Sequence, residues 1–159
     1  MHPIEARLTE LGVTLPDALT AAANYLPFVQ VGSQVWISGQ ISRDGATLLT
    51  GKLGRDLDVI AGAAAAQACA VAILAQVRAA CGGDWSRFRR MVKLVGFVNS
   101  TADFTDQPRV INGASDLLVA VLGEAGRHAR SAVSAASLPL GVAVEIEAVA
   151  EIDARTEVA

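Results

Sequence analysis

The stretch that decides the fold is RHARSAVSAASLPLGVAVEIEA, residues 127–148. It contains two runs of small and β-branched residues, separated by a Leu-Pro corner at 138–139. Because β-branched residues favour strands, the sequence predicts strands over 129–136 and 142–152. We interpret them as a pair of strands joined through the corner.

Charged side chains stand at regular places in this pair. In the second strand, side chains alternate between the two faces, so Glu145 and Glu147 share one face. Arg130 lies on the first strand, and an arginine can grip a carboxylate through two parallel hydrogen bonds. The residues alone leave two interpretations open: a surface salt bridge between Arg130 and a glutamate, or a cationic clamp for a small acid beside a carboxylate that positions water.

Upstream of this pair, the sequence predicts two main helices and a further set of strands. Asp56 is the expected cap of a long Ala-rich helix that Gly82-Gly83 ends. In chain order we expect a short helix over 3–12, a hairpin over 28–40, a turn at 42–45 with a short strand after it, the long helix over 56–81, a strand over 90–100 and a helix over 108–122. This order indicates an α+β fold with one sheet backed by two helices.

Composition favours an oligomer. Residues of the apolar set AVILMFWYC make up 52% of the chain, with 14 glycines besides, whereas typical domains hold about 45–50% with glycine included. Two helices can cover only one face of the sheet, so the other apolar face needs a partner. We therefore expect a homo-oligomer with a large shared interface.

Charge and length exclude several classes of function. The net charge is −3, with 13 basic and 16 acidic residues, so we expect no nucleic-acid partner. We interpret the one basic cluster, residues 85–94, as the solvent-exposed start of a strand in preference to an RNA-binding patch. We expect no membrane span, since no run of about 18 purely apolar residues exists.

The two cysteines, Cys69 and Cys81, are too few for a disulfide scaffold and lack metal spacing. We expect both to be buried, inert thiols. With no signal segment at the N-terminus, the default expectation is a cytoplasmic protein of one domain, residues 1–159, with no metal.

Several motifs together resemble one known family. Arg130-Ser131-Ala132-Val133, the Leu-Pro corner and Val144-Glu145-Ile146-Glu147-Ala148 closely resemble the C-terminal signature of the RidA (YjgF-type) enamine/imine deaminases. The resemblance continues upstream in VWISGQI at 35–41, VKLVGFVNSTADF at 92–104 and VINGASDLL at 110–118. It covers about residues 20–152, so the chain would have an N-terminal extension at 1–20 and a core at 21–152.

The resemblance implies a chorismate-mutase-like fold, assembled as a homotrimer with a central barrel and clefts between subunits. It implies that Arg130 grips a substrate carboxylate and that Glu145 holds the attacking water, without any cofactor. It also implies that four further residues line the same cleft, namely Tyr25, Ser38, Gly39 and Asn112.

The sequence departs from the family pattern in two places. Ala132 stands where the family often has cysteine, and the residues around Tyr25 differ from the usual pattern.

The expected reaction is hydrolysis of 2-enamine or 2-imino acids such as 2-aminoacrylate to 2-keto acid and ammonia. The alternative is a non-catalytic trimer that binds small carboxylic acids. We consider the endoribonuclease activity linked to the family less consistent with an acidic chain that lacks a histidine pair.

Overall fold

A computed structural model of the protein describes residues 1–18, 20 and 24–154. Residues 19 and 21–23, around the predicted boundary between extension and core, lie outside the described residues. The fold is α+β, as predicted. Its helices are α1 (Pro3–Glu10), α2 (Val59–Ala80) and α3 (Gln107–Leu122), and its strands are β1 (Phe28–Val31), β2 (Gln34–Ile41), β3 (Arg43–Asp44), β4 (Thr47–Leu48), β5 (Phe88–Asn99), β6 (Ala129–Ala135) and β7 (Val144–Ile152).

The main sheet has the strand order β1-β2-β7-β5-β6. β7 lies in its centre and pairs antiparallel with both β2 and β5, while β6 pairs parallel with β5 at the edge. The two strands predicted on either side of the Leu-Pro corner are both present, and β5 lies between them in the sheet. Parallel strands need a long crossover, and α3 provides it between β5 and β6, which leaves β7 to enter between β2 and β5.

α2 and α3 cover one face of the sheet, with α2 over β2 and β7 and α3 over β5 and β6. The predicted cap of α2 is wrong by two residues, because Asp58 accepts a 2.8 Å hydrogen bond from the Ala61 amide. Asp56 instead accepts from the Lys52 amide and pairs with Arg55. The helix ends at Ala80, with Cys81 as its C-cap and Gly82 following at φ 68°, so the predicted C-terminal stop is confirmed.

α2 is long and apolar enough to cross a membrane, with a mean hydropathy of 1.8 over its most apolar window. Half of that window is buried inside the fold. Its buried side contributes Ala66, Cys69, Ile73 and Val77 to the core. α2 is thus the core helix of a compact α+β domain.

The other face of the sheet carries apolar side chains that the described chain leaves uncovered. Trp36 is 55% exposed and Val31 is 65% exposed, although both lie on strands of the main sheet. On β7, burial alternates so that Glu145 and Glu147 share this open face, as predicted. A shallow cavity of about 420 Å³ between Trp36, Val95 and Glu147 lies on the same face.

The basic cluster at 85–94 is not an aromatic platform for bases. Trp85 and Phe88 are 2% and 8% exposed and meet edge to face at 6.2 Å. Arg89 forms an ion pair with Asp153 at 2.6 Å. The rings belong to the core, and stacking on a nucleobase would require an exposed ring.

Candidate functional site

The guanidinium of Arg130 is held by oxygens of helix α3. Its Nη1 donates to Asn112 Oδ1 at 2.8 Å and to Ser115 Oγ at 3.2 Å, and its Nη2 donates to the Pro108 carbonyl at 3.4 Å. These three residues are one helical turn apart along α3, so their polar atoms face β6 together. The side chain is therefore fixed before any ligand arrives.

All three acceptors are neutral. Within residues 1–18, 20 and 24–154, no carboxylate lies within 4 Å of the Arg130 guanidinium. The surface salt bridge that the sequence left open is absent from that part of the chain. A guanidinium carries five N–H donors, and the contacts to α3 involve Nη1 twice and Nη2 once. Among the described residues Nε–H has no acceptor, so it remains for a carboxylate.

Ser115 and His128 belong to the surroundings of Arg130, and sequence reasoning missed both contacts. His128 is half-buried. Its Nδ1 lies 2.7 Å from the Gly126 carbonyl, and its Nε2 lies 3.0 Å from Ser115 Oγ. The spacing of Asn112 and Ser115 on one helix face was the available signal.

Glu145 lies on the open face, against the backbone of β2. The pairing of β2 with β7 shifts between Ile37 and Gln40, which is a bulge at Ser38 and Gly39. The Glu145 carboxylate lies over Gly39, where a Cβ would overlap it. Burial raises the pKa of Glu145, and the charge of Glu147 raises it further. The carboxylate is thus a stronger base than an ordinary glutamate.

Ser38 and Tyr25 lie near this bulge. The Ser38 hydroxyl donates to the Leu26 carbonyl at 2.7 Å, and its amide donates to the Pro27 carbonyl at 2.9 Å. These two hydrogen bonds hold the backbone next to Tyr25 against β2. The Tyr25 side chain itself is 59% exposed.

The structure brings the predicted site residues together in two groups. Asn112 and Arg130 form one group on the helix-covered side, because Arg130 is opposite Leu94 of β5, which is fully buried. Gly39 and Glu145 form the other, on the open face, with Ser38 and Tyr25 at its edge. The two groups lie on opposite faces of the sheet, and β5 lies between the strands β6 and β7 that carry them. The two inter-strand spacings alone amount to about 10 Å. One chain thus does not place the guanidinium beside the carboxylate.

The fold and these two groups define a class: an α+β domain with an arginine on one side of a mixed sheet, held by neutral oxygens among the described residues, and a half-buried glutamate on the other side. Residues 5–152 match the family model described as "YjgF/chorismate mutase-like, putative endoribonuclease". The chain belongs to this family, and its chorismate-mutase-like fold confirms what the sequence motifs predicted.

Individual relatives agree with this assignment. Protein TCP17 of Trypanosoma cruzi is 48% identical over 152 residues, which is 94% of each chain. The crystal structure of a protein of unknown function from Agrobacterium tumefaciens is 54% identical with a TM-score of 0.87, covering 94% of this chain and 92% of that one. The yjgF gene product of E. coli is 31% identical with a TM-score of 0.59, covering 85% of this chain and 93% of that one.

Proposed function

We propose that the protein hydrolyses reactive 2-imino acids, such as the imine tautomer of 2-aminoacrylate, to 2-keto acids and ammonia. The observation that carries the proposal is the Arg130 guanidinium. It is held by three neutral oxygens through Nη1 and Nη2, and its Nε–H has no acceptor among the described residues and can donate to a carboxylate. A charge-assisted hydrogen bond of this kind contributes about 1.5–3 kcal/mol.

The reaction needs a held substrate, an oriented water and a proton acceptor. Water attacks the carbon of the protonated imine, its oxygen forms the new C–O bond, and the C=N electron pair moves to nitrogen. One water proton passes to Glu145, which returns it to the nitrogen of the tetrahedral intermediate. As the C–N bond breaks and its electron pair leaves with ammonia, the remaining O–H proton passes to Glu145 and the C=O bond of the 2-keto acid forms. Glu145 then gives this proton to the released ammonia, which leaves as ammonium. The raised pKa of Glu145 suits both proton transfers, because its carboxylate takes a proton more readily than an ordinary glutamate.

A homotrimer supplies the rest of the site in this proposal. Arg130 lies on edge strand β6, and Glu145 lies on the opposite face of the same sheet. A cleft between subunits would place Arg130 of one chain beside Glu145 of the next. The exposed Trp36, Val31 and Val133 on the open face would pack in the same assembly.

We propose that the protein acts in the cytoplasm. The test of its activity is a coupled assay with the purified protein. An amino-acid oxidase or a serine dehydratase generates the imino acid in place, and its decay is followed with and without the protein. We expect Glu145→Gln to lower kcat by about 100-fold or more, with little change in the Kd of pyruvate as product. Glu151→Gln, on the same strand and face, is the matched control. Full activity in Glu145→Gln would exclude the proposed proton transfer.

A second candidate is a trimer that binds small carboxylic acids without catalysis. The Arg130 group favours it, because that group is complete within one chain and does not need Glu145. A binder would tolerate Glu145→Gln in every assay, and the wild-type protein would leave imino-acid decay unchanged. For an endoribonuclease, two histidines would have to act together. His2 caps α1 and His128 is bonded to Ser115, so the chain offers no such pair.

A further inference from the structure

The side chains of His128, Ser115 and Arg130 form a chain of hydrogen bonds in which each donor and acceptor can be assigned. The Gly126 carbonyl can only accept, so His128 Nδ1, 2.7 Å away, carries a proton. The neutral ring then has an unprotonated Nε2, which accepts from the Ser115 hydroxyl at 3.0 Å. With its single proton committed to His128, the Ser115 oxygen accepts from Arg130 Nη1 at 3.2 Å.

The neutral state of His128 suits this direction. Burial lowers the pKa of His128, and the charge of Arg130 lowers it further, although the hydrogen bond to the Gly126 carbonyl acts the other way. A neutral ring keeps the Ser115 proton pointing away from the guanidinium. Without that constraint, the hydroxyl could turn its proton toward Nη1 and lose the contact.

The contacts also decide which edge of the guanidinium a ligand meets. Nη1 donates to both Asn112 and Ser115, so α3 occupies the Nη1 end of the guanidinium. At the side-on edge, formed by Nε and Nη2, Nε–H has no acceptor among the described residues, and Nη2 has only the Pro108 carbonyl at 3.4 Å for its two hydrogens. Bidentate carboxylate binding needs two parallel donors on one edge.

We propose that Ser115 and His128 are positioning residues that hold Arg130 for side-on binding of the substrate carboxylate. Neither residue touches the substrate. His128 fixes the proton of Ser115, Ser115 fixes Nη1, and the Nε edge is left facing the ligand. This inference rests on the proposed function, in which Arg130 is the carboxylate clamp.

The first experiment measures binding and turnover. We expect Ser115→Ala to raise the KM of the imino acid and the Kd of pyruvate by about tenfold, the effect of one hydrogen bond to a charged group. We expect kcat to change by less than about threefold, because the interaction acts equally on the bound ground state and the transition state. Ser115→Thr keeps the hydroxyl and should keep affinity. His128→Gln places an amide oxygen near the former Nε2 and should bind better than His128→Ala.

The second experiment does not depend on activity. The Arg130 ¹H–¹⁵Nε signal, identified by its loss in Arg130→Ala, reports how rigidly the guanidinium is held. We expect Ser115→Ala and His128→Ala to broaden or shift this signal, and pyruvate to perturb it in the wild-type protein.

The two experiments separate the inference from the proposed function. If the wild-type protein hydrolyses no imine but Ser115→Ala still broadens or shifts the Arg130 ¹H–¹⁵Nε signal, the positioning role is retained and the proposed hydrolase activity is refuted. An unchanged Nε signal and an unchanged KM in Ser115→Ala would overturn the inference, whatever the wild-type activity. A fall in kcat alone would also overturn it.

Discussion

Replacing Arg130 by alanine removes the guanidinium and leaves the acceptors on α3 in place. Asn112 and the Pro108 carbonyl lie at an exposed site, so water can replace the lost donors. The cost in folding free energy should be about 1 kcal/mol, which lowers Tm by about 2–4 °C in a chain of this size. The variant should remain folded.

The effect on catalysis should be much larger. The substrate loses two parallel charge-assisted hydrogen bonds, each contributing about 1.5–3 kcal/mol. Even at the lower value, their loss reduces kcat/KM by about 100-fold or more. Arg130→Lys keeps the charge but lacks the planar pair of donors, so we expect an intermediate loss of about tenfold.

The assay is ammonia release from 2-aminoacrylate generated in place, with the free imino acid kept below KM. Arg127→Ala is the matched control, because Arg127 is an exposed arginine three residues away whose guanidinium pairs with Glu124. We expect Arg127→Ala to retain the wild-type kcat/KM. Unchanged turnover in Arg130→Ala, or an equal loss in both variants, would refute the clamp.

Three further predictions follow from the packing around the site. Gly39→Ala should lower kcat by about tenfold or more with little change in Tm, because the new Cβ displaces only the flexible Glu145 carboxylate; a wild-type rate would contradict this. Gly113→Ala should lower the free energy of unfolding by about 2–3 kcal/mol, or Tm by roughly 5–10 °C. The reason is that its Cβ would overlap the Ala63 backbone carbonyl where α2 packs against α3. An unchanged Tm in calorimetry would refute that packing. Finally, kcat should fall on acidification at a higher pH than for an ordinary glutamate, because Glu145 acts as a carboxylate and its pKa is raised; the acidic limb should be absent from the pH profile of Glu145→Gln.

Local sequence patterns were sufficient for most elements of the fold. Alternation on β7 correctly placed Glu145 and Glu147 on one face, and the Gly82-Gly83 stop of α2 was correct. The N-cap of α2 was misplaced, because Asp56 and Asp58 are equally good caps by residue type. Only the tertiary contacts of Asp56 with Lys52 and Arg55 distinguish them.

Long-range pairing could not be predicted in the same way. Nothing in residues 129–152 reveals that β6 pairs with β5 and that β7 enters the centre of the sheet, since that order depends on the crossover through α3. The same limit applied to the site. The motifs identified Arg130 and Asn112, but the contacts of Ser115 and His128 depend on how α3 lies against β6.

The central claim is that Arg130 of one chain and Glu145 of the next form one site. Co-expression of Arg130→Ala and Glu145→Gln chains, each with a different tag, allows mixed trimers to be purified on both tags. In a closed ring of three, every mixed trimer contains one interface with both native residues, so activity should return to about one third of the wild-type rate. Each variant alone should be inactive. Mixed trimers as inactive as the parent variants would contradict the shared site, as would a protein that stays monomeric.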